Sequence, residues 1–288
     1  MEFLKAIILG AVQGATEFLP ISSSGHLSIL QHFMQLSGEG SLALTVFLHI
    51  GTLIAVIAVY YKTFGDMIKE IGLAIKDLFT GKIKETKTEN RHLLYMFIIS
   101  CLPLLLVVLP IGHDMKLKDL ADKLAGDGDI VVEGVMLLIT AALLLVATHV
   151  AKTKKNIRDR VEGKDAIAVG VAQLFAAILP GISRSGSTIS TGMICGVDKN
   201  YMVRYSFVLG TPAVLAASIF EIKEVLEGGA LALDIGPVIV GIIVAAIVGV
   251  ASIKLLEMLV KTDRFKIFGY YCLVVGAVVT VIGIIEKF

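Results

Sequence analysis

The sequence predicts an all-α polytopic membrane protein in which two similar halves pack together. Hydrophobic residues make up 56% of the 288 positions and charged residues only 18%, which leaves too little polar surface for a water-soluble domain of this size. Six apolar runs are each long enough for a helix to cross about 30 Å of hydrocarbon. Two shorter apolar runs, one in each half, stop at a proline that is followed by serine and glycine.

The first half, residues 1–150, begins with a short hairpin. The apolar run Phe3–Leu19 stops at Pro20, because proline cannot lie in a helix interior. A second short helix is predicted from Gly25 to Leu36. Irregular backbone between such helices survives at membrane depth only where it lines a protein-walled or wet cavity. We therefore predict a re-entrant hairpin over residues 3–36 and a site at its break.

Three full spans follow this hairpin. They are predicted over Leu42–Tyr61, Leu93–Gly112 and Ile130–Val150. The charged stretch Lys62–Arg91 between the first two spans is predicted to be an amphipathic helix and a loop.

The second half, residues 151–288, repeats this layout. A re-entrant hairpin over residues 166–196, made of Ala166–Leu179 and Gly186–Gly196, precedes spans over Tyr201–Glu221, Ile235–Met258 and Ile267–Ile285. Gly10, Gln13 and Pro20 match Gly170, Gln173 and Pro180 at a constant offset of 160. We interpret this as an internal duplication. Because each half has an odd number of spans, the second enters the bilayer from the opposite face, which makes an inverted-topology repeat.

The lysines and arginines orient the chain. Of 26 such residues, 18 fall on one predicted face and six on the other. The positive-inside rule makes the richer face cytoplasmic. Both termini and the mouth of the first hairpin are then outside. The net charge of +1 says nothing about partners, and no nucleic-acid partner is expected.

Polar residues of the first hairpin are candidates for chemistry. Gln13 and Glu17 are four residues apart and share a helix face. An ionisable residue in an apolar run is a functional hypothesis by default, although Gln13 could simply bond between helices and Glu17 could reach the interface.

The serine run of the first hairpin opens its return helix. Ser22, Ser23, Ser24 and Gly25 lie where free N–H groups and the helix dipole favour an anion, although any one serine could be only a cap. His26, three residues after Ser23, could exchange protons with it or with a leaving group.

The second hairpin supplies a cation. Arg184 lies in a segment too apolar for an unpaired arginine, and its guanidinium can hold phosphate in a bidentate manner. A structural ion pair with Glu17 is the alternative, and the two interpretations are compatible if substrate or metal replaces that pair. Ser183, Ser185 and Gly186 add hydroxyl and amide donors. His49, mid-span and four residues after Thr45, is interpreted as a hydrogen-bonded packing residue.

Three motifs together resemble the undecaprenyl-diphosphatase family, also called the bacitracin-resistance family. They are Gln-x-x-x-Glu at 13–17, Phe-Leu-Pro-Ile-Ser-Ser-Ser-Gly-His at 18–26 and Pro-Gly-Ile-Ser-Arg-Ser-Gly at 180–186. The resemblance covers essentially the whole chain. The two hairpin motifs at this separation are far more specific than either serine-glycine run alone.

The resemblance implies an enzyme of the bacterial inner (plasma) membrane that removes the terminal phosphate of undecaprenyl diphosphate, recycling the lipid carrier for peptidoglycan synthesis. It implies a divalent cation, Mg²⁺ or Ca²⁺, and a site facing the outer side. The protein would be surrounded by membrane lipid, and two copies of the chain could form a homodimer.

The resemblance carries over Gln13 and Glu17 from the acidic motif, Ser23 and His26 from the serine motif, and Ser183 and Arg184 from the arginine motif. The neighbouring hairpin residues discussed above complete the predicted site. The catalytic set would be Glu17, Ser23, His26 and Arg184, with Glu17 also binding metal. Substrate binding would fall to Gln13, Ser22, Ser24, Gly25, Ser183, Ser185 and Gly186. The family motif can have glutamate at position 13, so Gln13 departs from it, which puts direct metal binding there in doubt.

Phosphoryl transfer from a diphosphate needs charge neutralisation, an in-line nucleophile and a stabilised leaving group. Arg184 suits the phosphates, Glu17 suits a cation or base role, and His26 suits acid/base work. Ser23 is the candidate nucleophile, with His26 and a metal-bound water as alternatives. The competing function is a secondary transporter or flippase of a phosphorylated lipid, because inverted repeats with paired hairpins are transporter architecture.

Overall fold

The computed structural model confirms an all-α membrane architecture. It describes residues 2–36, 39–81, 88–108, 130–227 and 234–287. In chain order the helices are α1 (Glu2–Phe18), α2 (Ser23–Phe33), α3 (Glu39–Thr80), α4 (Glu89–Cys101), a 3-10 helix (Leu102–Val108), α5 (Ile130–Thr153), α6 (Gly163–Ile178), α7 (Arg184–Cys195), α8 (Lys199–Glu227), α9 (Ile235–Lys261) and α10 (Lys266–Ile285).

Six described helical segments are long and apolar enough to cross a membrane. They are Leu44–Thr80, Glu89–Val107, Ile130–Thr153, Lys199–Lys223, Ile235–Lys261 and Lys266–Ile285. These six match the six predicted spans. The remaining helices form two pairs, α1 with α2 and α6 with α7, at the positions of the two predicted hairpins. Pro20 and Pro180 lie in the breaks between the paired helices.

Two predicted spans differ in detail from the structure. The first was expected to end at Tyr61, but α3 continues to Thr80, with non-helical dihedral angles at Tyr60 alone. The second was expected to be one helix, but α4 ends at Cys101 and the chain continues as a 3-10 helix. Pro103 explains the change, because it cannot donate the backbone N–H of an α-helix. Residues 109–112 of that predicted span lie outside the described residues.

Small residues bring α1 into close contact with α9. A Cβ added to Gly10 would lie 2.5 Å from the carbonyl oxygen of Gly241, and one added to Gly14 would lie 2.5 Å from that of Ala245. Gly170, which matches Gly10 in the repeat, meets the Ser100 carbonyl on α4 in the same way at 2.5 Å. Close backbone contact of this kind is typical of membrane helix packing. It holds α1 against α9 and α6 against α4.

The remaining packing follows the predicted equivalences between the halves. Helix α3 packs on α8 and α5 packs on α10, and each pair joins helices at the same position in their halves. Helix α1 packs on α9, as α6 packs on α4. A two-fold axis that relates the two halves of the chain would produce these helix pairs. The inverted orientation and the boundary at residue 150 stay predictions.

Candidate active site

The breaks of the two hairpins face a common cavity of about 260 Å³. It is lined by Thr16, Glu17, Ser22, Ser23, Ser24, His49, Ala176, Ala177, Ile182, Ser183, Arg184, Ser185, Ala213, Val214 and Ala217. Helices α1 and α2 contribute the carboxylate and one serine run, and α7 contributes the guanidinium. Both hairpins are therefore needed to build the cavity, as the sequence predicted.

Glu17 lies at the centre of the polar contacts. Arg184 Nη2 donates to Glu17 Oε1 at 2.5 Å, while Ser23 Oγ donates to Oε2 at 2.7 Å. Gln13 Nε2, one helical turn earlier on α1, also donates to Oε2, at 3.2 Å. The Glu17 side chain is buried and the Arg184 side chain is only 22% exposed. A buried carboxylate with three donors is a strongly positioned group.

Ser22 and Ser183 cap the helices that begin at the cavity. Ser22 Oγ accepts a hydrogen bond from the Gly25 N–H at 3.2 Å, and Ser183 Oγ accepts one from the Gly186 N–H at 3.0 Å. The capping interpretation is therefore confirmed for Ser22, whereas the cap at Ser183 was not predicted from the sequence. The N-termini of α2 and α7 both lie at the cavity, where their dipoles favour an anion.

Ser22 is also held in an uncommon backbone conformation. Its φ of 73° lies in the left-handed region, which non-glycine residues rarely adopt. Such strain persists only where the surrounding structure holds it. Here the turn directs Ser23 back toward Glu17.

The other hydroxyls differ in their surroundings. Ser23 is half-buried and its hydroxyl bonds only Glu17 among the described residues, whereas Ser24 is exposed and lies 3.4 Å from Ser22 Oγ. Ser185 is buried, 3.4 Å from Ser183 Oγ. Ser23 thus combines access to the cavity with a neighbouring base.

Gly210 on α8 makes room for the guanidinium of Arg184. A Cβ at this position would lie 1.2 Å from Arg184 Nη1 and 2.4 Å from Cζ. The guanidinium therefore occupies the space that any other side chain at position 210 would fill. The sequence interpretation assigned Gly210 no role in the site.

His26 lies beside this cavity and is not among its lining residues. Its Nδ1 is 2.7 Å from the Ser22 carbonyl oxygen, and its Nε2 is 2.9 Å from the Tyr271 hydroxyl. A carbonyl only accepts, so Nδ1 carries the hydrogen, and Nε2 of the neutral ring accepts from Tyr271. The Ser23 hydroxyl donates to Glu17 and not to His26.

Comparison with known proteins places this architecture in a family. A family model described as "Bacitracin resistance protein BacA" matches residues 6–278. The chain belongs to the BacA family. A protein of Alkaliphilus metalliredigens is 38% identical over 99% of this chain and 100% of its own length, and is named undecaprenyl-diphosphatase. Relatives with the same name occur in Methanosphaera stadtmanae, at 36% identity over 99% of both chains, and in Bacteroides fragilis, at 35% identity over 98% of this chain and 99% of the relative.

This assignment confirms the resemblance drawn from the two hairpin motifs. The transporter alternative receives no support from these BacA relatives, since the names they carry are those of a phosphatase. The individual site residues stay predictions.

His49 is a cavity-lining residue that the sequence interpretation placed among packing residues. Its Nδ1 is 3.2 Å from the Thr45 carbonyl oxygen, as expected of a packing histidine. Its ring nevertheless lines the cavity together with Glu17 and Arg184. An ionisable residue in the middle of an apolar span is the signal that singled out Glu17, and it could have singled out His49 as well.

The described residues contain no group of three or more His, Cys, Asp or Glu side chains that could hold a metal ion by themselves, so a divalent cation in this BacA-family cavity would need substrate oxygens as ligands in addition to Glu17. Glu17 is the carboxylate of the lining, and its three donors leave about one of the four acceptor positions of an ionised carboxylate free. Gln13 Oε1 is buried and has no hydrogen-bond partner among the described residues. Oxygen ligands suit Mg²⁺ and Ca²⁺, and Mg²⁺ is commonly held by one or two carboxylates plus substrate phosphates.

Proposed function

We propose that this BacA-family protein is an undecaprenyl-diphosphatase: it hydrolyses the terminal phosphate of undecaprenyl diphosphate to give undecaprenyl phosphate and inorganic phosphate. The observation that carries this proposal is the contact of Glu17 with both Ser23 and Arg184 in one cavity. A base, a hydroxyl nucleophile and a phosphate-binding cation are the groups that phosphoryl transfer requires. The names of the relatives support the substrate.

In substrate binding, a phosphate group replaces Glu17 as the partner of Arg184. A phosphate that reaches Arg184 competes with Glu17 for the guanidinium, which holds two phosphate oxygens in its planar fork. The free N–H groups at the start of α2 and α7 provide further donors. The exchange leaves Glu17 able to accept a proton from Ser23.

We infer that Ser23 is the nucleophile. Ser23 Oγ forms a bond to the terminal phosphorus while the bond from that phosphorus to the bridging oxygen breaks, and undecaprenyl phosphate leaves with the electron pair. Glu17 takes the Ser23 proton at Oε2, where the hydroxyl already donates. Water then hydrolyses the phosphoserine and restores the free hydroxyl. His26 lies at the edge of the cavity. We assign it a role in acid/base catalysis.

One side of the cavity is lined by apolar side chains that can contact the lipid tail. Ala176 and Ala177 on α6 face the cavity, as do Ala213, Val214 and Ala217 on α8. Small apolar side chains leave room for the first prenyl units next to the polar end. We infer that the chain leaves the cavity along this α6–α8 wall into the bilayer.

The cation and the location complete the proposal. Glu17 would hold Mg²⁺ or Ca²⁺ together with substrate phosphate oxygens, and the ion would neutralise charge that develops on those oxygens. The protein would lie in the bacterial inner membrane with both termini and the cavity facing outward, an orientation supported by the distribution of Lys and Arg. A homodimer stays a prediction.

Phosphate release from undecaprenyl diphosphate tests this function. Purified protein in detergent with Mg²⁺ should release inorganic phosphate and leave undecaprenyl phosphate as the lipid product, and EDTA should abolish the release. Absence of phosphate release in the presence of Mg²⁺ and Ca²⁺ would contradict the proposal. Formation of undecaprenol would show a different bond to be cleaved.

A further inference from the structure

His49 lines the cavity, and one of its two ring nitrogens contacts the backbone of its own helix. Its Nδ1 lies 3.2 Å from the Thr45 carbonyl oxygen one helical turn earlier. A carbonyl only accepts, so Nδ1 carries a hydrogen. Nε2 has no hydrogen-bond partner among the described residues, and the ring lines the same cavity as Arg184. The backbone contact therefore fixes the ring and leaves Nε2 for a ligand.

Few side chains that line the cavity can carry positive charge. Of its fifteen lining residues, Arg184 and His49 are the two that can be cationic. Arg184 is already bound to Glu17 at 2.5 Å, so its charge is largely balanced before substrate arrives. A diphosphate brings more negative charge than one arginine neutralises, and such sites add further donors to the transferred group.

An imidazolium ring and a bound diphosphate attract each other because their charges are opposite. The protonated ring donates from both nitrogens. With Nδ1 held by Thr45, Nε2 would donate into the cavity. Helix α3 thus adds a donor from outside both hairpins.

We propose that His49 is a substrate-binding residue whose Nε2–H donates to a non-bridging phosphate oxygen of the diphosphate. The proposal rests on the phosphatase function above and adds a third element, α3, to the two hairpins. It replaces the interpretation of His49 as a packing residue. A packing role would need only the Thr45 contact and would be insensitive to the ligand.

Two substitutions separate these roles. Glutamine can place an amide N–H close to the position of Nε2, whereas leucine fills the space without a donor. His49→Leu should raise KM for undecaprenyl diphosphate about 10- to 100-fold, the usual effect of losing a hydrogen bond to a charged group. His49→Gln should recover most of this loss. His149→Leu is the matched control, because His149 is exposed on α5 and does not line the cavity.

Binding of a non-hydrolysable analogue makes the test independent of turnover. The probe is undecaprenyl methylenebisphosphonate, with its affinity measured by titration and the melting temperature of each variant measured alongside. His49→Leu should weaken binding by the same 10- to 100-fold with little change in melting temperature. If His49→Leu binds the analogue and turns over substrate as wild type does, the proposal is overturned.

Two other outcomes are also decisive. If His49→Gln is as weak as His49→Leu although both are folded, a donor at Nε2 is not what matters, and the proposal is again overturned. If wild type binds the analogue in a His49-dependent way but releases no phosphate, the phosphatase function fails while the binding role of His49 stands.

Discussion

Gly210→Ala should inactivate the enzyme through Arg184 without unfolding it. The new Cβ would lie 1.2 Å from Arg184 Nη1, and ordinary carbon–nitrogen contact is about 3.4 Å, so the guanidinium must move by about 2 Å. Such a shift breaks its contact with Glu17, which is 2.5 Å at present. The clash involves the end of a flexible side chain, so the helices can keep their positions. Removing one preorganised charged donor costs about 10²- to 10³-fold in kcat.

The assay is phosphate release from undecaprenyl diphosphate at saturating substrate, with thermal unfolding of the same preparation. Gly72→Ala on α3 is the matched control, because a Cβ there meets nothing within 4 Å and alanine favours a helix interior by up to about 1 kcal/mol. In an Arg184→Ala background, Gly210→Ala should have no further effect, because the two changes act on one group. A folded Gly210→Ala protein with near wild-type turnover would refute the reasoning.

Four further predictions follow from the same contacts. Arg184→Ala and Glu17→Ala should each abolish phosphate release while leaving the protein folded, although each lowers the melting temperature because it breaks a buried ion pair; normal turnover in either would remove that residue from the site. Gln13→Glu places a second carboxylate beside Glu17 and should lower the Mg²⁺ concentration that gives half-maximal activity, because a cation between two carboxylates relieves their repulsion; an unchanged Mg²⁺ titration would argue against metal at Glu17. Ser183→Ala removes the cap of α7 and should destabilise the protein by about 1 kcal/mol and reduce turnover, as seen by thermal unfolding and phosphate release; Ser183→Thr, which keeps the hydroxyl, should restore both. EDTA should stop turnover, and Mg²⁺ or Ca²⁺ added back should restore it; activity that persists in EDTA would show that Glu17 acts without a metal.

The sequence was sufficient for those features of the site that depend on local chemistry. Proline and serine placed the two hairpin breaks, and the cap at Ser22 follows from a rule that acts within four residues. The pairing of Glu17 with Arg184 could be predicted because neither charge has another way to be satisfied in an apolar segment.

Features that depend on the approach of distant helices could not be predicted in this way. Gly210 matters because α8 lies against the Arg184 guanidinium, and His49 matters because α3 brings its ring to the cavity. No local pattern encodes either contact. The stacking of His26 on Tyr271, across 245 residues, is of the same kind, and it places the His26 ring beside the cavity and outside its lining.

The most direct test of a shared site between the two hairpins is the phosphate-release rate of Ser23→Ala, Arg184→Lys and the double variant. Residues that act on one substrate as a unit are not additive in their kinetic effects. Each single variant should therefore lose most of the turnover, and the double variant should be no slower than the slower single. Near wild-type turnover in either single variant, or losses that multiply in the double variant, would contradict a joint site between the hairpins.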